Sequence, residues 1–261
     1  MVELLIFITF ILLGVRHRFF WCARDRRLKY PTIMAHRGMK MVSPENTIAS
    51  YQEAVDIGFT ALEMDILQTK DGELICSHNF DLERETNGHG WIHQSSLSQL
   101  EDVQTGVYSH PSKTQSMPRF LDALDTIPEN IFLNIEIKTH SLFDLSTANS
   151  VKEMIKNGII KHTFIISSFH PIVVAYLRLL CPEVSIGFIL QDMEWLWVTH
   201  WIHPDYLHPR ADQVDDELIE LSKRHNLPLS LWTVNTIPAI EWCRKNNISG
   251  IITDNPQAIH S

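Results

Sequence analysis

Two histidines in this sequence follow short apolar runs, at positions where predicted strands end. His36 is followed directly by Arg37 and Gly38, which places a titratable ring beside a fixed cation, and His78 follows a second such run. Imidazoles titrate near neutral pH, so a pair of them can deliver and remove protons, and an arginine beside them binds an anion. Parallel α/β folds keep their chemistry at the carboxyl ends of strands. The residue types therefore predict acid and base catalysis on an anionic substrate.

Three acidic residues alternate with apolar residues in two other predicted strands. Glu63 and Asp65 are two residues apart, so both carboxylates lie on one face of a strand, and Glu136 shares a face with Asn134 and Lys138. Carboxylates gathered on an inward face repel one another unless a cation lies between them. An all-oxygen site suits one hard dication, Mg²⁺ or Ca²⁺, better than zinc. The alternative is that these residues form the ordinary polar faces of edge strands.

Composition limits the class of protein. The chain has 261 residues, 44% of them hydrophobic and 20% charged, which suits a single large α/β domain. Its formal net charge is −9, and the acidic body of the chain is a poor nucleic-acid binder. Neither a disulfide framework nor a cysteine zinc site is indicated by the widely scattered cysteines, which are Cys22, Cys76, Cys181 and Cys243.

Short β-rich runs alternate with amphipathic stretches after residue 30. The predicted strands are 32–35, 61–67, 131–137, 163–167, 185–190, 206–208, 229–234 and 250–253. The predicted helices are 44–57, 118–126, 147–157, 171–180, 214–224 and 238–246, the first with Ser43 as N-cap and Pro44 at the first helical position. Eight strand and helix units over residues 30–261 predict an α/β fold of the TIM (β/α)₈ barrel type.

One further strand interrupts the alternation. Residues 73–77 follow the second strand after a link too short for a parallel crossover, so the two form a predicted antiparallel hairpin. With the turn centred between Lys70 and Asp71, His78 faces Glu63 and Cys76 faces Asp65. The segment from about 79 to 117 is rich in Ser, His, Gly and Asn and reads as an insertion over one side of the barrel mouth.

Residues 1–29 form a predicted apolar anchor with a basic, aromatic flank. The apolar run 4–15 covers only about 18 Å as a helix, which is short for a hydrocarbon core of about 30 Å. Long cations with Phe19, Phe20 and Trp21 are typical of a membrane interface. We therefore expect a membrane-anchored protein whose catalytic domain lies on the cytoplasmic side. A cleaved signal peptide and a buried or disordered tail are the alternatives.

Six motifs occur in an order that resembles the glycerophosphodiester phosphodiesterase family. They are HRG with PENT, LEMD, SH, NIEIK, LWTVN and ITDNP, between Thr32 and about Pro256. The resemblance implies a (β/α)₈ barrel that uses a divalent cation to hydrolyse a glycerophosphodiester to an alcohol and glycerol 3-phosphate. Membrane-bound relatives include lysophospholipase D enzymes that produce lysophosphatidic acid, so lysophospholipids are possible substrates.

The same resemblance assigns roles to individual residues. It makes His36 and His78 the general acid and base, Arg37 and Lys138 the phosphate-binding cations, and Glu63, Asp65 and Glu136 the metal ligands. It places Trp232 against the glycerol moiety, with plain core packing as the alternative. In the family mechanism, the glycerol 2-hydroxyl attacks phosphorus while one histidine removes its proton and the other protonates the leaving alcohol. Water then opens the cyclic phosphate.

Some residues are less clearly assigned. Glu45 fits either a residue near the site or a helix cap, and Asp254 is expected to close the last strand. Asn79 replaces the Asp that most relatives have after the second histidine, so the pH profile is expected to shift if that residue tunes His78. Three tryptophans follow the fifth predicted strand, Trp195, Trp197 and Trp201. They are expected either to contact an acyl chain or the bilayer, or to belong to an amphipathic helix that packs on the barrel.

Two other classes of function remain open at this point. One is a different metal-dependent barrel phosphodiesterase, of the sphingomyelinase D or phospholipase C type. The other is a catalytically silent, membrane-tethered binding protein, which only Asn79 favours.

Overall fold

The computed structural model describes residues 2–20 and 32–260. Its strands are β1 (Thr32–His36), β2 (Ala61–Gln68), β3 (Leu74–Cys76), β4 (Gln104–Thr105), β5 (Gln115–Ser116), β6 (Phe132–Ile137), β7 (Phe164–Ser168), β8 (Ser185–Leu190), β9 (Tyr206–Pro209), β10 (Ser230–Leu231) and β11 (Gly250–Thr253). Its α-helices are α1 (Val2–Phe20), α2 (Ile48–Ile57), α3 (Leu97–Leu100), α4 (Phe120–Thr126), α5 (Ser146–Lys156), α6 (Pro171–Leu180), α7 (Thr199–Ile202), α8 (Asp216–His225) and α9 (Ile237–Lys245). Short 3₁₀ helices occur at Ile92–Gln94, Met193–Val198, Ala211–Gln213 and Pro256–His260.

Eight parallel strands form a nearly closed barrel, which confirms the predicted (β/α)₈ fold. They pair in the order β10, β11, β1, β2, β6, β7, β8 and β9. Two isolated parallel bridges, Leu207 to Leu229 and Arg210 to Trp232, join the last strand of this series to the first. The carboxyl ends of all eight strands therefore meet at one rim, and residues that end different strands become neighbours there.

The strand boundaries agree with the predicted ones to within one residue, except in the seventh strand. Only Ser230–Leu231 of the predicted segment 229–234 is regular strand. The flanking residues Leu229 and Trp232 make isolated bridges instead. Side chains are buried on both the outer and the inner surface of the barrel. The outward side chains of β2 pack against helices, and Met34, Ala61 and Ile252 fill part of the interior.

The predicted antiparallel hairpin is present, but its register is shifted by one residue. Ile66 pairs with Cys76, so the expected pairing of Cys76 with Asp65 is wrong. The turn is longer than expected, because the Thr69 amide donates to the Glu73 carbonyl across three intervening residues at 2.8 Å. Gly72 takes a left-handed conformation there, with φ of 95°, as three-residue hairpin loops require.

The insertion packs against this hairpin as a small separate unit. A cluster of buried apolar side chains joins Leu82, Ile92 and Leu100 of the insertion to Leu67 and Ile75 of the hairpin. Strands β4 and β5 pair with each other in a second sheet. The insertion therefore has a fixed position beside the second strand of the barrel.

The first helix after β1 starts later than the sequence indicates. Its N-cap is Thr47, whose hydroxyl accepts from the Ser50 amide at 3.2 Å, so the prediction of Ser43 as N-cap is wrong. The intervening residues cannot continue a helix, because Asn46 has a φ of 55°. Residues 43–46 form a loop at the barrel rim instead.

Helix α1 is 19 residues long, and the side chains of residues 2–14 are exposed. Among residues 2–20 and 32–260, every helix is too short or too polar to cross a membrane. Trp21 and the basic residues up to Lys29, which belong to the predicted anchor, lie outside the described residues.

A buried ion pair under the barrel wall gives a stability prediction. Arg178 of α6 pairs with the fully buried Asp205, which also accepts from the Ile186 amide at 3.0 Å. We expect Asp205→Asn to lower the free energy of unfolding by about 3–5 kcal/mol, because the Arg178 charge loses its partner. Urea unfolding followed by circular dichroism measures this. Asp122→Asn is the matched control, because its pair with Arg119 is 40–44% exposed and its loss should cost far less. Equal losses in the two variants would contradict the prediction.

Candidate active site

A cavity of about 520 Å³ opens at the carboxyl rim of the barrel. Seven of the eight residues predicted to carry chemistry line it, and the eighth, Asp65, lies directly behind its wall in contact with two of the seven. The cavity is lined by His36, Arg37, Glu63, His78, Asn134, Glu136, Lys138, Phe169, Ile189, Gln191, Arg210, Trp232 and Ile252. Phe169, Gln191 and Arg210 are additional lining residues that the sequence patterns did not indicate.

Three carboxylates converge on one wall of this cavity. Glu63 and Asp65 lie on the same face of β2, and the parallel register sets Asp65 directly beside Glu136 of β6. One oxygen from each of the three lies within 4.8 Å of the other two, and all three residues are buried. The predicted ligand set is therefore assembled by the pairing of two strands.

The electrostatics of this cluster fit a divalent cation. Burial and the neighbouring carboxylates raise the pKa of Glu63 well above its usual value. Burial also raises the pKa of Glu136, to about 7, although Lys138 opposes this effect. Asp65 is buried too, but the cations of Lys138 and Arg37 outweigh that burial and lower its pKa. Asp65 Oδ1 has no hydrogen-bond partner among the described residues. Crowded, buried oxygens with unused acceptor capacity are what a hard dication requires.

Two cations border the carboxylates. Arg37 Nε lies 3.2 Å from Asp65 Oδ2, and Lys138 Nζ lies 3.0 Å from Glu136 Oε1 and 3.6 Å from Asp65 Oδ1. The neighbouring carboxylates raise the pKa of both groups despite burial, so both are charged at neutral pH. A phosphate that enters the cavity therefore meets two fixed positive charges.

The PENT segment holds Arg37 and Asp65 in place. Glu45 accepts two hydrogen bonds from Arg37 Nη1, at 2.9 and 3.1 Å, so it is a residue of the site and does not cap α2. Asn46 donates to Asp65 Oδ2 at 2.8 Å and accepts from the Asp65 amide at 3.0 Å. The residue patterns did not indicate Asn46, although its place in a motif beside Glu45 was the available signal.

The turn after His36 brings the backbone close to the first turn of α2. Arg37 and Gly38 both have left-handed conformations, with φ of 57° and 75°. A Cβ at Gly38 would lie 2.5 Å from Ser50 Oγ, so only glycine fits. The turn also points the Arg37 amide at Glu63 Oε2, at 2.9 Å. The HRG motif thus supplies a ring, a side-chain cation and a backbone donor to one site.

His36 is held by a residue from the far end of the chain. Its Nδ1 lies 2.8 Å from Asp254 Oδ1 and 3.2 Å from Lys40 Nζ, and Lys40 also pairs with Asp254 at 3.0 Å. Burial lowers the pKa of His36, against the Asp254 hydrogen bond that raises it, so the ring is neutral at pH 7. The expected structural role of Asp254 is therefore incomplete, because its carboxylate also orients His36.

His78 lines the same cavity. Its Nδ1 lies 3.1 Å from the Asn79 side-chain oxygen. Burial lowers the pKa of His78 to about 4, although the Asp65 charge raises it. Asn79 thus keeps the orienting hydrogen bond that a carboxylate would make but lacks its charge.

The charge missing at Asn79 gives a pH prediction. In Asn79→Asp, a carboxylate beside Nδ1 stabilises the protonated ring and raises the pKa of His78. We expect the limb of the kcat/KM profile that His78 sets to move to higher pH, by about one unit or more. The profile is measured against that of Asn157→Asp, an exposed change on another face of the barrel. A limb that stays in place in Asn79→Asp would show that residue 79 does not tune His78.

Trp232 forms the apolar wall opposite the carboxylates. Its Nε1 donates to the His208 carbonyl at 2.8 Å, and its ring meets Phe169 edge to face with centroids 5.5 Å apart. It therefore packs against the barrel and also lines the cavity. Three other tryptophans do not line the cavity. More than half of each of their side chains is exposed, and they are Trp195, Trp197 and Trp201.

Comparison with known proteins identifies the fold and the family. The model of the glycerophosphoryl diester phosphodiesterase family matches residues 36–258. A glycerophosphodiester phosphodiesterase of Caldanaerobacter subterraneus is 29% identical over 231 residues, which cover 87% of this chain and 95% of that protein.

Solved structures show the same barrel. A phosphodiesterase of Oleispira antarctica, in complex with the product sn-glycerol-3-phosphate, superposes with a TM-score of 0.79 at 24% identity, covering 89% of this chain and 98% of that one. The glycerophosphodiester phosphodiesterase of Thermotoga maritima gives 0.71 at 20% identity, with 90% and 99% covered. Since the family model covers nearly the whole barrel and the motifs that match it meet in one cavity, the chain belongs to the glycerophosphoryl diester phosphodiesterase family and is a phosphoric diester hydrolase.

Proposed function

We propose that this protein hydrolyses glycerophosphodiesters to an alcohol and sn-glycerol 3-phosphate in a reaction that needs Mg²⁺ or Ca²⁺. One observation carries the proposal: a three-carboxylate cluster, two fixed cations and two imidazoles lie together at one cavity. The names of the Caldanaerobacter and Thermotoga relatives and the product bound to the Oleispira enzyme support the same reaction.

The dication would be held by Glu63, Asp65 and Glu136. When bound, it supplies Lewis-acid stabilisation of the charge on the phosphoryl oxygens. Its charge would also relieve the repulsion that raises the pKa of Glu63 and Glu136. Arg37 and Lys138 border the same wall and would orient the phosphate by ion pairing.

The two histidines would carry the protons. Nδ1 of His36 faces Asp254, and Nδ1 of His78 faces Asn79, which leaves Nε2 of each ring to exchange a proton. The glycerol 2-hydroxyl oxygen bonds to phosphorus as one ring takes its proton. The bond from phosphorus to the alcohol oxygen breaks as the other ring, which enters this step as the imidazolium, supplies a proton from Nε2. Water then opens the cyclic phosphate, with the two rings in reversed roles.

Product analysis tests this proposal. We expect the parent protein to release glycerol 3-phosphate from glycerophosphocholine, as followed by phosphorus NMR, and to lose this activity in EDTA and recover it with Mg²⁺ or Ca²⁺. Unchanged turnover in EDTA would exclude the metal requirement. With sphingomyelin or phosphatidylinositol as the substrate, release of ceramide phosphate or of inositol phosphate would instead indicate a sphingomyelinase D or phospholipase C type of reaction, and no turnover of any diester would indicate a silent binding protein.

Lysophospholipids form a second proposed class of substrate. Trp195, Trp197 and Trp201 are 55–58% exposed in the segment that follows β8, at the rim where the cavity opens. Indole rings prefer the membrane interface, and the exposed apolar side chains of α1 favour the same surface. We propose that these elements hold the cavity near lipid, with the barrel on the cytoplasmic side.

A tryptophan variant separates this role from catalysis. In Trp197→Ala, we expect vesicle binding and turnover of lysophosphatidylcholine to fall several-fold, while turnover of water-soluble glycerophosphocholine stays the same. Trp242→Ala, on α9, is the matched control because that ring is also partly exposed, at 38%. If the parent protein releases no lysophosphatidic acid, the lysophospholipid proposal fails, and the glycerophosphodiester proposal is unaffected.

A further inference from the structure

A second cluster of potential metal ligands lies at the barrel mouth, apart from the acidic residues. His140 and Asp144 belong to the loop after β6, with His140 Nδ1 2.7 Å from Asp144 Oδ2. His93, in the 3₁₀ helix of the insertion, stacks on His140 with ring centroids 4.0 Å apart and planes inclined by 5°. His170 precedes α6 at the end of β7. The contacts thus join His93 to the His140–Asp144 pair, and His170 follows the strand that pairs with the one preceding this loop.

The protonation state of this cluster suits a metal. Burial lowers the pKa of His93 and of His170, and in both cases the Asp144 charge opposes that effect. Neutral imidazoles with free nitrogen lone pairs bind transition metals.

The hydrogen bonding of these rings is incomplete. Both ring nitrogens of His170 and Nδ1 of His93 are buried, with no hydrogen-bond partner among the described residues. Asp144, in contrast, is fixed by the Ser146 amide at 2.9 Å. Buried polar atoms in native proteins are almost always paired, so several unpaired nitrogens around one anchored carboxylate call for a ligand.

We propose that His93, His140, His170 and Asp144 form a second metal site, for a transition-metal dication such as Zn²⁺. Three imidazoles and one carboxylate match the donors and the coordination number that zinc prefers, whereas the all-oxygen cluster in the cavity suits Mg²⁺ or Ca²⁺. Within the described part of the chain, only the acidic cluster already has three ligand atoms within 4.8 Å of one another. Zinc binding here therefore requires side-chain rotation. In His93, Nδ1 has no hydrogen bond to lose, and Nε2 would give up its contact with Gln94 Nε2 at 3.4 Å.

This site would join the insertion to the barrel. His93 belongs to the insertion, and the other three ligands belong to loops that follow β6 and β7. The cavity is adjacent, because Phe169 and Lys138, which line it, lie one and two residues before His170 and His140. Bound zinc would thus fix the insertion against the rim of the active site.

Metal titration of the whole protein tests the proposal. Zn²⁺ is titrated in competition with a chromophoric chelator, and Co²⁺ is used as a spectroscopic probe of imidazole ligation. We expect the parent to bind one Zn²⁺ and Glu136→Gln to retain it. The double variant His93→Gln with His170→Gln should bind Zn²⁺ more than about 10-fold more weakly, since even indirect partners of a metal contribute 10–100-fold. His89→Gln, another insertion histidine with a 90% exposed ring, is the control. Circular dichroism verifies the fold of each variant.

Two results would overturn the site. One is a zinc isotherm of the double variant that coincides with that of the parent. The other is loss of all zinc binding in Glu136→Gln, which would assign the ion to the acidic cluster. Limited proteolysis gives an independent measurement. Zn²⁺ should slow cleavage within residues 79–117 of the parent but not of the double variant. Equal cleavage rates of the parent with and without Zn²⁺ would exclude a zinc link between the insertion and the barrel.

Discussion

Glu63→Gln is expected to abolish tight binding of the dication proposed for the acidic cluster and to lower kcat/KM by more than about 100-fold. Partners that act only indirectly on a metal contribute 10–100-fold, so loss of a carboxylate that binds the ion itself should cost more. The amide preserves the shape of the side chain and its place on β2, and it removes only the charge. Calorimetric titration with Mg²⁺ and Ca²⁺, together with release of glycerol 3-phosphate, measures both effects.

The same substitution should have the opposite effect on stability when no metal is present. Burial and the charges of Asp65 and Glu136 raise the pKa of Glu63, so folding disfavours its ionised form at neutral pH. Removing that charge should raise the melting temperature measured in EDTA, whereas added Mg²⁺ should stabilise only the parent.

Glu101→Gln, an exposed substitution on the insertion, is the control for both measurements. A Glu63→Gln protein that binds the dication as tightly as the parent would refute the role of this carboxylate. A lower melting temperature in EDTA would show that the cluster is not electrostatically strained.

His36→Ala and His78→Ala are each expected to lower kcat by about 10²–10⁴, the range of a single general acid or base. Both rings line one cavity, where one would accept a proton as the neutral imidazole and the other would supply a proton as the imidazolium. The double variant should be far less impaired than the product of the two effects, because the groups act in one concerted step. Steady-state kinetics with glycerophosphocholine measures these losses.

A substrate with a good leaving group assigns the two roles. When a nitrophenyl ester of glycerol phosphate is the substrate, the nitrophenolate leaves without protonation. The variant that lacks the general acid should therefore recover most of its activity, and the variant that lacks the base should not. His89→Ala, in an exposed part of the insertion, controls for loss of any imidazole. Full activity in either cavity variant would remove that ring from the mechanism.

Much of the barrel could be predicted because its signals are local. Alternating short strands and amphipathic helices produce eight parallel units, and seven of the strands agree with their predicted bounds to within one residue. Glu63 and Asp65 share a face for an equally local reason, since side chains alternate along a strand with a period of two. The hairpin register was missed, because one additional residue in the turn shifts every pair and only the Thr69 to Glu73 hydrogen bond decides it.

The start of α2 was missed for a different reason. Ser43 and Pro44 are residue types typical of a helix start. Asn46, however, makes two hydrogen bonds with Asp65 and adopts a left-handed conformation that an α-helix does not allow. A tertiary contact thus overrides a capping preference worth about 1 kcal/mol.

By itself, the amino-acid sequence determined the barrel class, the family and the identity of the acids, cations and rings that the motifs carry, because each depends on residue types and short spacings. Only the tertiary structure decided how these residues meet. The closure of the barrel sets Asp254 against His36 across 218 positions of the chain, and the pairing of β2 with β6 brings Asp65 beside Glu136. Contacts between distant segments depend on the register and closure of the whole sheet, and no short stretch of sequence contains that information.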